Sequence, residues 1–222
     1  MTMARRAGPL AEQLAHHLRE RLLQGDPRGG ERVSELGVAN EYGVARPTAK
    51  AALDILVMEG LVAREPYAAL RVTTVEARDV PEILVLLEVA ERLAVARILR
   101  DGPDLRGVRD TARTAPDRVL ESVVETAAST RLARTHRQGT LELALALSRR
   151  TPFADPGAPD LRVLAERLAD ALFRLDAEDA HQTLAELHDA RRAACTASRA
   201  TAPAPTPSEP VTARADDSAP AR

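Results

Sequence analysis

Residues 43–62 read GVARPTAKAALDILVMEGLV, a helical pattern with a glycine near each end. Proline at the first position of a helix loses no hydrogen bond, so Arg46-Pro47 predicts a helix start. The apolar residues that follow repeat at the spacing of one buried helix face: Ala49, Ala52, Leu53, Leu56 and Val57. Gly60 predicts the end of this amphipathic helix.

Two further helices are predicted before this one. Leucine recurs every four residues at Leu10, Leu14, Leu18 and Leu22, and Gly25 can end the helix that this stripe predicts. The segment DPRGGERV at 26–33 predicts a turn. Ser34 can then cap a second short helix, SELGVANEY, and Gly43 breaks the chain after it.

A β-hairpin is predicted after the third helix. LVARE at 61–65 and LRVTT at 70–74 each alternate apolar and polar residues, and PYAA at 66–69 joins them. Three helices followed by a hairpin, with a tight glycine turn between the second and third helices, predict a winged helix-turn-helix domain over residues 1–75.

The stretch from Leu10 to Thr73 resembles the DNA-binding domain of GntR-type bacterial transcription regulators. Four segments match in the family's order: LRERLLQG, GGERVSE, GVARPTAKAAL and EGLV. Two positions depart from the family pattern, since Leu36 stands where the family commonly has Arg and the wing tip PYAA has no glycine. The second departure argues against insertion of the wing into the minor groove.

Candidate DNA contacts lie at the start of the third helix. Arg46, Thr48 and Lys50 project from its first turn and a half, where a recognition helix presents polar side chains to base edges and phosphates. The resemblance implies that Arg46 and Lys50 contact operator DNA. Taken without the resemblance, these two cations are better explained as a solvated helix face, which exposed charges usually form.

Three further residues are candidate phosphate contacts. Ser34 stands at the N-terminus of the second helix, where backbone N–H groups favour an anion. Arg64 and Arg71 lie in the predicted hairpin.

Residues 76–200 show helical patterns throughout and predict an antiparallel bundle that binds an effector and dimerises. The predicted helices are VPEILVLLEVAERLAVARIL, DRVLESVVETAAS, GTLELALALSRR, and a pair joined at Asp176. Residues 201–222 contain five prolines and few large apolar residues, and we predict that they are disordered. The expected fold is mainly α, with an N-terminal winged helix-turn-helix followed by an all-α antiparallel helical bundle.

The bundle resembles, more weakly, the helical (FCD-type) effector domain of the FadR-like subfamily of GntR regulators. The best-matching segments are AERLAVA, which places Glu91 at the subfamily's acidic position, and DRVLESVVETAAST. Leu87 stands four residues before Glu91, where the subfamily usually has Arg.

The same resemblance implies a divalent-metal site built from one Asp, a His four residues later, and two more His in the last helices. Asp117 matches the Asp position, but Glu121 stands at the first His position and Ala165 near the second. The third position falls at Leu187, and His188 is one residue out of register. We therefore expect no metal and no cofactor. Asp117 is equally well explained as an acid in the first turn of a helix.

Histidines elsewhere give no other metal site. His16, His17 and His136 are predicted to lie on the surface. His181 and His188 are seven residues apart on one helix, a rise of about 10 Å, so they cannot share an ion. An effector pocket in the bundle is thus expected to be an apolar cavity.

Composition excludes several classes of protein. Among the 222 residues are 31 basic and 33 acidic side chains, so the net charge of −2 excludes a polybasic protein. The single cysteine, Cys195, excludes an intramolecular disulfide. No apolar segment reaches the length of a membrane span, which predicts a cytoplasmic protein without membrane contact. No Ser-His-Asp ordering or phosphate-binding glycine loop is present, so an enzyme is not expected.

These features predict a homodimeric transcription regulator that binds a double-stranded inverted repeat. A small molecule in the helical bundle would tune its affinity for the operator, and repression is the commoner outcome in the family. The alternative is a helical protein-interaction module that has kept the regulator fold but has no small-molecule effector.

Overall fold

The N-terminal part of the chain folds into three helices and a small antiparallel sheet. A computed structural model describes residues 8–65, 70–147 and 160–200, with side chains up to residue 196. The elements in chain order are α1 (Pro9–Leu23), β1 (Arg32–Val33), α2 (Glu35–Tyr42), α3 (Arg46–Met58), β2 (Val62–Arg64) and β3 (Leu70–Val72). The strand order is β1-β3-β2. This is the winged helix-turn-helix that the sequence predicts.

Local chemistry explains the turn between α2 and α3. Ser34 caps α2, because its Oγ accepts a hydrogen bond from the backbone N–H of Gly37 at 3.0 Å. A Cβ added at Gly37 would lie only 2.9 Å from that Oγ, so glycine keeps the cap intact. Gly43 ends α2 with φ of 63°, in the left-handed region that glycine adopts without strain.

The predicted leucine stripe of α1 is correct at three of its four positions. Leu14, Leu18 and Leu22 are buried against α3, but Leu10 is 55% exposed, because it occupies the first turn of the helix. Val57 in α3 is also less buried than predicted and packs at the edge of the core. These side chains form one apolar core beneath α3.

The segment predicted as a turn contains a strand. Within DPRGGERV, Arg32–Val33 forms β1 and pairs antiparallel with β3, which places Arg32 opposite Arg71. Two residues are too few to show an alternating pattern in the sequence, so the prediction missed this strand. The predicted hairpin is present as the pair β2–β3.

The C-terminal part is a helical bundle, as predicted. Its elements are α4 (Val80–Asp101), α5 (Arg106–Thr114), a single 3₁₀ turn (Pro116–Arg118), α6 (Val119–Thr126), α7 (Thr130–Leu147), α8 (Leu161–Phe173) and α9 (Ala177–Ala200). The last two helices meet at Asp176, where the sequence predicts their junction. The prediction missed α5, whose sequence RGVRDTART has few apolar residues. It also began α7 at Gly139, whereas the helix starts at Thr130.

Close packing explains why a glycine lies inside α7. A Cβ at Gly139 would lie 3.1 Å from Cδ2 of Leu87, so the absence of a side chain allows α4 and α7 to approach closely. Leu87 is almost fully buried in a cluster between α4, α7 and α9. A second, larger apolar cluster fills the bundle between α4, α5, α6, α8 and α9.

The helix α7 also connects the bundle with the winged helix domain. Its residues Leu141 and Leu145 pack against the N-terminal core, and Gln138 lies within 3.5 Å of the Cβ position at Gly60. The two parts of the chain therefore share an apolar contact through one continuous helix.

Some predictions fall on residues outside the described ranges. They include the wing tip PYAA at 66–69 and the tail at 201–222. The predicted domain limits, 1–75, 76–200 and 201–222, stay predictions. Within the part of the chain that the structure describes, no helix is long and apolar enough to cross a membrane.

Candidate functional site

The first turns of α3 present polar side chains to solvent. The Arg46 side chain is 71% exposed and the Lys50 side chain 52% exposed, and Thr48 is half-buried. Ala49 and Ala52 are fully buried. The buried alanines orient the helix so that its cationic face points outward, as the sequence predicts.

Acidic side chains already hold three of the cations near this face. Arg46 Nε lies 3.2 Å from Glu35 Oε2 at the start of α2. Asp54 accepts from two partners, with Lys50 Nζ at 2.7 Å and Arg64 at 3.0 Å. All of these groups are partly exposed, so the pairs are weak and a phosphate can replace the carboxylates.

The strands add further cations beside α3. Arg71 on β3 donates to the Gly30 carbonyl at 2.8 Å and pairs with Glu65. Arg32 on β1 is exposed and lies directly opposite Arg71, although no sequence pattern selects it. The fold thus brings Arg32 and Arg71 to one surface of the sheet.

Ser34 has a structural role that is compatible with DNA contact. Its Oγ accepts the Gly37 N–H, while the hydroxyl hydrogen can still be donated to a phosphate oxygen. The exposed Leu36 follows in the first turn of α2. The six predicted contacts are distributed over α2, α3, β2 and β3, and the structure leaves their assignment to DNA a prediction.

A second polar site lies buried in the helical bundle and centres on Glu91 of α4. Oε1 of Glu91 lies 2.8 Å from Nε2 of His136 on α7 and 2.8 Å from a guanidinium nitrogen of Arg191 on α9. Oε2 lies 2.8 Å from Nε2 of His188, also on α9, and 3.2 Å from the other Arg191 nitrogen. All four residues are buried.

The charge of this cluster is set by Glu91 and its donors. Burial alone would raise the pKa of Glu91, but the Arg191 charge and the hydrogen bonds from His136 and His188 outweigh it and hold the pKa below its usual range. Glu91 is therefore an anion, and each histidine places a ring N–H against it.

The sequence prediction for His136 was wrong. Predicted as a surface residue, it is 4% exposed, because α7 begins nine residues before Gly139 and turns this side chain toward α4. One signal was present in the sequence: Glu91 lies between Leu87 and Ala94 on the apolar face of α4, where a carboxylate needs buried partners.

The residues at the positions of the metal motif that the FadR-like resemblance implies do not assemble. Asp117 is exposed in the 3₁₀ turn, and Glu121 pairs with Arg118 at 3.0 Å. No group of three or more His, Cys, Asp or Glu side chains among the described residues is arranged to hold a metal ion. At Glu91 the guanidinium of Arg191 already contacts both carboxylate oxygens, so a divalent cation would meet a positive charge there.

A groove of about 340 Å³ lies between the first half of α4 and the end of α9. Val80, Pro81, Leu84 and Val85 form its apolar wall, and Glu88 with Arg192 forms its polar end. Cys195 lines it as well, and burial raises the pKa of this thiol, which makes it a poor nucleophile.

The N-terminal fold and the cationic start of α3 agree with a known family. Residues 10–72 match the model of bacterial regulatory proteins of the gntR family. The N-terminal domain is therefore similar to the domain that this family model describes.

Other similarities extend this result. An uncharacterized HTH-type transcriptional regulator of Bacillus subtilis (strain 168), YdhC, is 27% identical over 96 residues, which are 43% of each chain. The match thus spans less than half the length of that relative.

Solved structures resemble both parts of the fold. McbR/YncC of E. coli has a TM-score of 0.63 at 20% identity, and the likeness covers 86% of this chain and 98% of that one. A GntR transcriptional regulator from Rhodococcus sp. RHA1 has a TM-score of 0.60 at 23% identity over 84% of this chain and 98% of its own. At these identities the likeness shows a shared fold, a winged helix-turn-helix domain followed by a helical bundle.

Proposed function

We propose that this protein is a homodimeric transcription regulator of the cytoplasm that binds a double-stranded inverted repeat. The observation that carries the proposal is the exposed cationic start of α3 within a GntR-type domain. Its role is DNA recognition, without catalysis. Repression, the commoner outcome in the family, is the proposed sign of regulation.

In the proposed complex, α3 enters the major groove. Arg46 donates to guanine acceptors, Thr48 contacts a base edge or a phosphate, and Lys50 supplies a point charge to guanine or phosphate. Ser34, Arg64 and Arg71 contact the phosphates that flank the groove, and these contacts set the position of α3.

DNA binding then requires an exchange of partners. Glu35 and Asp54 release Arg46, Lys50 and Arg64 as phosphates and base edges approach. The carboxylates near α3 disfavour non-specific binding, because they repel phosphates when the base contacts are poor. Specific sites overcome this repulsion through bidentate hydrogen bonds.

A small molecule bound in the bundle would tune this affinity. Two half-sites separated by one helical turn require a fixed geometry of the two recognition helices. The apolar contact of Leu141 and Leu145 with the N-terminal core provides a route from the bundle to α3. The apolar groove between α4 and α9 is the proposed effector site, and its size suits a small organic molecule.

One observation favours a second candidate, a protein-interaction module without an effector. Four large apolar residues are more than half exposed along α4: Val85, Leu86, Val89 and Leu93. A melting-temperature screen over metabolites and metal ions separates the candidates, because a reproducible ligand-induced rise excludes the second one.

Selection of bound sequences from a random DNA pool tests the proposed function directly. We expect an inverted repeat, and Arg46→Ala or Lys50→Ala should each weaken binding by about 1–3 kcal/mol in a gel-shift titration. Arg106→Ala, an exposed change in the bundle, is the matched control and should leave binding unchanged. Failure of the wild type to select any palindrome contradicts the proposal.

A further inference from the structure

The buried cluster around Glu91 has the composition of a complete carboxylate-binding site. A carboxylate offers about four lone-pair positions for hydrogen bonds. Glu91 has two donors on each oxygen, from the rings of His136 and His188 and from both terminal nitrogens of Arg191. The donors come from α7 and α9, whereas the carboxylate comes from α4.

We propose that His136, His188 and Arg191 form an anion site for small carboxylates, and that the chain fills this site with its own Glu91 side chain. The three donor side chains lie on α7 and α9, whereas the anion comes from α4. A carboxylate that is not attached to α4 can therefore occupy the same position. In the wild type Glu91 is a tethered ligand, which keeps the site closed to external anions.

The arrangement distinguishes an anion site from a cation site. Arg191 is a permanent cation that contacts both oxygens of Glu91, and each imidazole turns a ring N–H toward the same carboxylate. A metal ion would have to displace these hydrogens beside a guanidinium in a buried environment. An added carboxylate needs none of these changes.

One atom of the site is directed elsewhere. Nδ1 of His188 is buried without a hydrogen-bond partner among the described residues, and it lies 3.9 Å from Oε2 of Glu88. Glu88 also forms the polar end of the groove between α4 and α9. The anion site and the groove are therefore neighbours on either side of the His188 ring.

The internal ligand fixes the position of α7. His136 attaches this helix to Glu91 of α4, which also binds His188 and Arg191 of α9. Leu141 on the same helix packs against the GntR-type domain. Since Glu91 is always present, the bundle holds α7 without any external anion. An effector of the wild-type protein therefore binds outside the Glu91 site.

The test uses Glu91→Ala in the full chain, because this change removes a fragment that matches an acetate ion. We expect the melting temperature to fall by roughly 10 °C in chloride, since Arg191 loses its buried partner. Sodium acetate at about 100 mM should raise it again in a saturable way, because a ligand of the native state stabilises that state. The wild type should not respond to acetate.

Two variants control the result. Glu186→Ala removes a carboxylate of α9 that lies outside the cluster and pairs with Arg167 in a partly exposed position, so acetate should have no saturable effect. In Glu91→Ala/Arg191→Gln the acetate response should disappear, because the bidentate donor is gone. The readout is thermal and needs no DNA, so failure here leaves the DNA-binding proposal unaffected.

If Glu91→Ala does not fold in chloride, refolding from urea in acetate and in chloride of equal ionic strength decides the question by circular dichroism. Recovery in acetate alone supports the anion site. Equal recovery in both salts, or failure in both, overturns it. A zinc- or manganese-induced rise in the melting temperature of the wild type that His188→Ala abolishes also overturns it.

Discussion

Replacing Asp54 with asparagine should strengthen DNA binding. Asp54 holds Lys50 at 2.7 Å and Arg64 at 3.0 Å, both on the proposed DNA surface. Exposed ion pairs contribute about 0.2–1 kcal/mol each, and the wild type must break both pairs to bind DNA. Without these pairs, the binding free energy should become more favourable by about 1 kcal/mol for each half-site. This corresponds to about a fivefold gain for one half-site and about thirtyfold for a dimer on two half-sites.

The measurement is fluorescence anisotropy with a selected palindrome at low and moderate salt. The gain should be larger at low salt, because screening already weakens the exposed pairs when salt is high. Asp104→Asn in the bundle changes the net charge equally and should leave affinity unchanged, since Asp104 is exposed and pairs with nearby Arg106. Equal or weaker binding by a folded Asp54→Asn variant would refute the proposed orientation of α3 and the wing.

Three further changes test the fold and the buried site. Ser34→Ala should lower the free energy of unfolding by about 1 kcal/mol in urea titrations through loss of the α2 cap; an unchanged midpoint would contradict the role of the cap. Gly139→Ala should destabilise by about 1 kcal/mol, because its Cβ would lie 3.1 Å from the buried Leu87. Gly107→Ala is the control: a Cβ there would meet no atom within 4 Å, so this change should stabilise the protein. If both glycine variants shift the free energy of unfolding in the same direction, the tight packing of α4 against α7 is contradicted. The lowered pKa of Glu91 stabilises the fold above the unfolded value of about 4.3, and this contribution is lost as pH falls toward the folded pKa. In the Glu91→Gln variant, the free energy of unfolding, measured in urea, should therefore fall less steeply with decreasing pH than in the wild type. An equally steep fall in both proteins would contradict the stabilising role of the Glu91 charge.

Local patterns were sufficient to predict the recognition helix. Pro47 and Gly60 mark its ends, Ala49 and Ala52 define its buried face, and Ser34 caps the preceding helix through a contact only three residues away. These features depend on neighbours in the chain, so they can be derived before the fold is known.

The missed features depend on contacts between distant residues. Arg64 reaches Asp54 only because β2 folds back beside α3, and β1 exists only because β3 lies next to it. His136 lies in the polar stretch RTHRQ, where nothing in the local pattern shows that α4 covers it. Its burial follows from its contact with Glu91, which is 45 residues away in the sequence.

The single lysine of the chain has a practical consequence for chemistry in solution. Every other basic side chain is arginine, so Lys50 carries the only ε-amine, and it stands on the exposed start of α3. An amine-directed dye would attach there and at the chain's terminal amine. It would place a reporter at the proposed DNA-binding start of α3 without any substitution. Acylation of the same amine would remove its charge and its ion pair with Asp54, which would then pair with Arg64 alone. One covalent event would therefore remove an attractive charge from that surface and leave a carboxylate there less fully neutralised.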